Sequence, residues 1–344
     1  MTPVLLGVVS ILVLLCSALG TGLLRRYALA RQLVDVPNAR SSHSVATPRG
    51  GGLAFVVIYS AALLWLAASG HAAWSSAIGL LGAGSMVAVV GFVDDHGHIA
   101  ARWRLLIHLV AAAWALAWLG VPILNLVGMR VDLGLWGYGL FGLALAWLLN
   151  LFNFMDGIDG IAGTEAISVS LGGALCYWLV GQPLLGLPAV LLAFAVLGFL
   201  LFNWPPAKIF MGDAGSGFLG IVLGGLAVQA GLADPDLLWC WAILLGIFIT
   251  DATVTLFRRL MRRTRVYEAH RSHAFQRASR RHGGHLPVTL SVLLLNVFWL
   301  LPLSCFVALG YIPGLVAVFI AYAPLVFLAW VYGAGLSDEE TSLA

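Results

Sequence analysis

Acidic side chains are scarce in this chain, and five aspartates gather in three short polar stretches between long apolar runs. GFVDDHGH (91–98) carries Asp94 and Asp95, NLFNFMDGIDGIAG (150–163) carries Asp156 and Asp159, and NWPPAKIFMGDAGSG (203–217) carries Asp213. Adjacent carboxylates repel each other, and a cation or a cluster of donors between them relieves the repulsion. The bland reading of the first stretch is a solvated helix end. In the second, Asn150 and Asn153, then Asp156 and Asp159, stand three apart and share one face of a helix, and the glycines let a ligand approach the backbone. An Asx-rich turn explains one Asp-Gly pair well, but two asparagines with two aspartates poorly.

In the third stretch, Pro205 and Pro206 stiffen the loop, and GDAGSG precedes a helix whose free N–H groups could meet an anion. Asp213 could hold a cation bridging that anion, with Lys208 and Phe210 nearby. A fourth stretch, EAHRSHAFQRASRRHGGH (268–285), offers His270, Arg271 and His273: Arg binds phosphate through a planar fork, and His can donate to it. A zinc site is the rival there, weakened by the absence of a cysteine. Magnesium takes oxygen ligands and commonly shares itself between one or two carboxylates and substrate phosphates. With no nucleophilic serine motif, the set reads as Mg²⁺-assisted phosphoryl chemistry at a membrane surface, Mn²⁺ being the alternative ion.

Elements of one kind must hold these residues. Of 344 residues, 61% are apolar and 10% charged, against roughly 25% charged in a soluble domain. The fold class is an all-α polytopic membrane protein with a single transmembrane domain over residues 1–344. Spans of about 20 residues are expected near 4–24, 53–69, 74–93, 105–120, 136–152, 166–181, 185–202, 216–232, 237–257, 288–308 and 313–334. No Lys or Arg precedes the first span and Arg25 and Arg26 follow it, so it reads as an anchor rather than a cleaved signal. The positive-inside rule then puts the N-terminus in the periplasm and the C-terminus in the cytoplasm. Eleven spans put the loops at 25–52, 94–104, 153–165, 203–215 and 258–287 on one side. They hold all of the 18 Lys and Arg residues except Arg130, and they contain every acidic stretch. The expected site is a cleft at the cytoplasmic face of the membrane.

Cys16, Cys176, Cys240 and Cys305 read as packing residues without paired spacing. No nucleic-acid module is visible, because basic cytoplasmic loops are ordinary in membrane proteins. The stretch 125–137 alternates weakly and suggests a short hairpin.

The ordered set DD-x-x-H (94–98), N-x-x-N-x-x-D-G-x-D-G (150–160), P-x-x-I-F-M-G-D-x-G-S (206–216) and H-R-S-H (270–273) resembles the polyprenyl-phosphate N-acetylhexosamine-1-phosphate transferases, glycosyltransferase family 4. That superfamily includes phospho-MurNAc-pentapeptide transferase and the enzymes that initiate O-antigen and enterobacterial common antigen. HRSH in a short last loop looks more like the O-antigen branch. The resemblance implies transfer of a sugar 1-phosphate from a UDP-N-acetylhexosamine to undecaprenyl phosphate, releasing UMP, with membrane lipid around the protein and a homodimer as its assembly. It implies Asp213 as magnesium ligand with Asn153 joining it, Asp94, Asp95, Asp156 and Asp159 as catalytic, Phe210 against uracil, and Arg271 and His273 on the diphosphate. Lys208 and His270 are kept as further phosphate-facing candidates. His43, Thr47 and Arg49 lie in a stretch resembling a nucleotide-contacting segment. His98 departs from the usual Lys or Asp, which leaves its role open.

Two other classes compete. A transporter or flippase for nucleotide sugars or lipid-linked sugars binds near the bilayer midplane through broken helices, whereas the acids here cluster toward one face. A CDP-alcohol phosphatidyltransferase gathers its carboxylates in one compact motif and releases CMP.

Overall fold

The computed structural model describes residues 1–37, 45–97, 99–263 and 270–336. His43 and His98 lie outside the described residues.

Among these residues the chain forms α1 (Pro3–Ala30), α2 (Gly52–Ala68), α3 (Trp74–His96), α4 (Ala101–Leu119), α5 (Leu135–Met155), α6 (Ile161–Leu179) and α7 (Leu187–Asn203). There follow α8 (Asp213–Ala233), α9 (Pro235–Leu244), α10 (Gly246–Met261), α11 (Ala274–Arg281), α12 (His285–Leu295), α13 (Leu301–Ala308) and α14 (Gly314–Val331). A π-helical turn, Asn296–Leu300, joins α12 to α13. Two small ladders complete the chain: β1 (Val34–Asp35) with β2 (Thr47–Pro48), and β3 (Leu124–Leu126) with β4 (Met129–Val131). The second ladder is the hairpin that weak alternation suggests, with Asn125 opposite Arg130.

Every apolar run expected to span is helical, so the protein is an all-α, multi-pass membrane protein. The count of eleven is adjusted. Eight helices among the described residues are long and apolar enough to cross, or nine when α9 and α10 count as one broken span. The two others fall short for different reasons: α2 has 17 residues, and α6 is diluted by Thr164, Glu165, Ser168 and Ser170.

Helix α8 is the axis of the bundle. Its most apolar window is 83% buried, against 22% for α1 and α4 and 28% for α14, which leave broad faces to lipid. α3 and α5 pack along α8, and α1 packs along α7. With no water to drive association inside a bilayer, close backbone approach does the holding. Gly91 shows how tight the fit is: a Cβ there would lie 2.5 Å from the backbone of Asp213 and Ala214. The end of α3 thereby abuts the start of α8, which brings Asp94 and Asp95 up to Asp213.

The span expected at 237–257 is broken at Leu245, where α9 and α10 meet at 68°. A break at membrane depth frees backbone N–H groups that need partners. Glu165, fully buried on α6, lies beside the Phe248 backbone in the first turn of α10. The same carboxylate accepts from Asn296 Nδ2 at 2.7 Å, at the start of the π turn. Three cysteines dispersed in sequence, Cys176, Cys240 and Cys305, meet side by side between α6, α9 and α13 as free thiols.

Gly91→Val should lower the melting temperature of the detergent-solubilised protein by several degrees, since overpacking costs about 1–3 kcal/mol. Gly142→Ala serves as the control: the nearest atom to an added Cβ there is 3.8 Å away, so its melting temperature should match wild type. Equal melting of the two variants would remove the close α3–α8 contact from the stability of the fold.

Candidate active site

The three acidic stretches converge at one end of the bundle, and the side chains around them assemble by ordinary local rules. Asp95, in the last turn of α3, is almost wholly buried and accepts the backbone N–H groups of Asp213 (3.2 Å) and Ala214 (3.5 Å), at the positive end of α8. Its other partner is the Arg49 guanidinium, from the loop before α2. Asp94 accepts the Ile99 N–H at 2.8 Å and the Arg104 guanidinium at 2.5 Å. Arg104 also stands 3.5 Å from the Asp213 carboxylate, so one cation at the start of α4 faces two acids.

The loops are stitched together by backbone. Phe210 N–H donates to the Pro48 carbonyl, and Gly51 and Gly52 donate to the Phe210 and Met211 carbonyls. Gly212 has φ +80°, and a Cβ there would strike the Asp95 carboxylate at 2.6 Å, so the turn into α8 requires glycine. Asn203, buried, accepts the Gly160 N–H at 3.0 Å and donates to the Ile209 carbonyl at 2.9 Å, tying the Asp-Gly turn to the 203–213 loop.

Between these strands of chain lies a polar cleft of about 260 Å³, lined by Arg49, Asn153, Asp156, Asp159, Asn203, Phe210, Asp213 and Ser216 together with Asp35, Gln276 and His285. Asn153 donates to Ser216 Oγ at 3.2 Å, and its amide lies beside the Asp213 carboxylate. Asp159 accepts the Ala207 N–H at 3.0 Å, and its carboxylate lies 3.1 Å from His285 Nδ1. The Asp156 carboxylate makes no hydrogen bond or ion pair among the described residues, while its backbone N–H donates to the Phe152 carbonyl. Burial, then the nearby charges of Asp213, Asp95 and Asp159, hold its carboxyl well above the usual carboxylate range.

An acid in that state invites a cation. Among the described residues no three acid, imidazole or thiol groups converge into a closed metal cage. The donor set is open: two carboxylates, Asp156 and Asp213, with the Asn153 amide, on a cleft with space beside them. That suits a hard ion that completes its shell with water and phosphate oxygens.

The basic residues of the last loop are placed differently from expectation. His273 is buried, with Nδ1 3.2 Å from Asp251 of α10, and His270 stacks on it at 5.0 Å. Burial, with His273 and Arg259 nearby, pushes His270 down to about 3, so it is neutral at physiological pH. Neither lines the cleft, nor do Arg271 and Lys208. Lys208 is exposed, and its carbonyl accepts from Arg25. Thr47 pairs through its backbone with cleft-lining Asp35, and its hydroxyl donates to the Val45 carbonyl. The last loop reaches the cleft instead through Gln276 of α11 and His285 of α12.

Arg104, Asn203, Gln276 and His285 are site residues that sequence reasoning missed. Arg104 carried a signal, a cation ten residues after Asp94 at the start of the next helix; the other three depend on long-range packing.

Comparison with known proteins agrees with this picture. Residues 77–231 match the model of glycosyl transferase family 4. The chain is 32% identical over 267 residues to the probable undecaprenyl-phosphate N-acetylglucosaminyl 1-phosphate transferase of Bacillus subtilis, covering 75% of this chain and 72% of that protein. It is 34% identical over 245 residues to the phospho-N-acetylmuramoyl-pentapeptide-transferase of a Picosynechococcus, covering 67% and 64%. It is 31% identical over 247 residues to the decaprenyl-phosphate N-acetylglucosaminephosphotransferase of Mycolicibacterium smegmatis, covering 65% and 60%. The chain thus spans less than two thirds of the last two proteins.

Asp156 generates a prediction whose sign follows from linkage. An acid whose folded pKa lies above its unfolded value, about 3.9, binds its proton more tightly when folded, so stability falls as pH rises through that interval. Asp156→Asn removes the loss. The variant should melt higher than wild type near pH 7.5 in a chelator, and the two should converge toward about pH 4. A lower melting temperature for the variant near pH 7.5 would contradict the half-buried, unpaired state of this carboxyl.

Proposed function

The chain belongs to glycosyl transferase family 4, the polyprenyl-phosphate N-acetylhexosamine-1-phosphate transferases, and from that premise we propose that it transfers an N-acetylhexosamine 1-phosphate from a UDP-sugar to undecaprenyl phosphate, releasing UMP. The product is a lipid-linked diphosphate sugar that starts an O-antigen or related envelope polysaccharide at the bacterial inner membrane. The observation that carries the reading is the convergence of Asp35, Asp156, Asp159 and Asp213 on one polar cleft at one end of the bundle, with Asp95 bonded to its Arg49 wall. A midplane transporter site would lie deeper among the spans.

A second cavity supports a lipid acceptor. An apolar groove of about 670 Å³ lies between α10, α12 and α14, lined by Val288, Val292, Leu295, Phe298 and Leu325. Helix α11 stands between groove and cleft, giving Phe275 to one and Gln276 to the other. A prenyl tail in the groove would carry its phosphate toward the cleft, where positioning alone contributes several kcal/mol.

Asp156 and Asp213, with Asn153, would hold Mg²⁺, which when bound supplies charge neutralisation for the diphosphate. Phe210 offers its ring to uracil, and Arg49 presents a cation at the cleft wall. Arg104 holds Asp94 and faces Asp213, so neither acid is free to turn away. A phosphate monoester has its second pKa near 6, so the acceptor is largely dianionic at neutral pH and needs no strong base. An acceptor oxygen attacks the β-phosphorus, the bond from that phosphorus to the bridging oxygen breaks, and UMP leaves with that oxygen. Asp94 or Asp95 then has the lesser task of orienting the acceptor or taking a residual proton.

Purified protein given undecaprenyl phosphate and a panel of UDP-N-acetylhexosamines should release UMP only when Mg²⁺ and lipid are both present. UMP release without lipid would instead indicate a covalent aspartyl intermediate, and CMP release from a CDP-linked donor would indicate the phosphatidyltransferase class. Asp213→Asn should insert normally and lose Mg²⁺-dependent turnover by at least about a hundredfold. Near-wild-type turnover in that variant would take Asp213 out of the metal site.

A further inference from the structure

We propose that the turn after α14, residues 332–336, is a positioning element of the transfer site: it clamps α11, the short helix that separates the polar cleft from the apolar groove. The inference rests on the transferase reading for its kinetic consequence, but its structural half stands on contacts alone.

Helix α11 has eight residues, too few to persist in water without tertiary support. Two sets of bonds supply that support. On one side Asp251 accepts the Ala274 and Phe275 N–H groups at 3.0 and 2.9 Å, fixing the first turn. On the other side the turn after α14 grips the rest. Gly335 N–H donates to the Ser272 carbonyl at 2.8 Å, just before α11. Arg277, in the middle of α11, donates to the Leu336 carbonyl at 2.5 Å. His282, at its end, lies 2.9 Å from the Tyr332 hydroxyl. Arg258 of α10 donates to the Ala334 carbonyl at 2.9 Å, so the turn is itself pinned to the half-helix that carries Asp251. Ala334 is fully buried against Ala274 and Ala329.

The turn is shaped for this seat. Gly335 has φ +78°, and a Cβ there would meet the Thr255 carbonyl at 2.8 Å and Arg258 Cβ at 2.9 Å. Any side chain at 335 both strains the backbone and lifts the turn away from α10.

The consequence for substrates is unequal. Ala274, Phe275, Ala278 and His282 of the α11 segment line the groove, whereas Gln276 alone reaches the cleft. Loosening the clamp while Asp251 still holds the first turn should disturb the lipid acceptor more than the sugar nucleotide.

The test uses the full-length chain in nanodiscs with Gly335→Val, Arg277→Ala and Arg277→Lys. Amide hydrogen exchange of residues 270–282 should accelerate at least about tenfold in the first two variants, while the 153–163 and 203–213 segments keep wild-type rates. In UMP-release assays the KM for undecaprenyl phosphate should rise about fivefold or more and the KM for the UDP-sugar should change less than about twofold. Arg277→Lys, which keeps a donor, should recover most of the wild-type value. Unchanged exchange over 270–282, or an equal rise in both KM values, would overturn the proposal. A wild-type protein that exchanges as described but releases no UMP would overturn the transferase reading instead, because the exchange measurement needs no turnover.

Discussion

Asp95 is the joint on which the rest of the site depends. Its one carboxylate receives the Arg49 guanidinium and two backbone N–H groups of α8, so it binds the loop before α2, the end of α3 and the start of α8 to a single point. Gathering several acids in a place short of water is costly unless each charge is answered. Here Asp95 is answered by a cation and a helix end, Asp94 by Arg104, and Asp159 by the Ala207 N–H. Asp156 is left over: its carboxyl has no side-chain partner among the described residues and shares the cleft with Asp213 and Asp159. The acids that are satisfied build the frame, and the one that is not lies open on the cleft.

Much of this could be read from residue order. Long uncharged runs dictate membrane helices, and the basic loops fall on alternate connections, so the acidic turns had to share an end. Acids three residues apart beside glycines marked the turn after α5 as a site. Two kinds of information were hidden. The break at Leu245 leaves no proline or charge to announce it, and the buried Glu165–Asn296 pair beside it joins residues far apart in sequence. The direction of the last loop was hidden too. A run of His and Arg reads as a phosphate cradle, yet Asp251 draws His273 inward, and Gln276 and His285 rather than Arg271 and His273 face the cleft.

Helix α11 joins the two halves of the structure. Its residues are adjacent in sequence but open onto media of opposite polarity: Phe275 onto an apolar groove, Gln276 onto the acidic cleft. Gly157 allows this, since a Cβ there would press on the Phe275 ring at 2.9 Å and on Gln276 at 3.1 Å. The geometry of this eight-residue helix thereby sets the distance between the apolar groove and the acidic cleft.

The bend between α9 and α10 has a further consequence. By leaning away at 68°, α10 leaves the groove flanked by Phe298 and Leu294, which are largely exposed on the outer surface of the bundle. A hydrocarbon-anchored molecule would arrive there by drifting sideways within its own leaflet, never crossing into solvent. Its encounter rate would then follow its mole fraction among the surrounding lipids and the viscosity of the bilayer, whereas the soluble partner answers to bulk molarity. Under the proposed reaction, the tilt of a single half-helix would separate two supply lines, one planar and one volumetric.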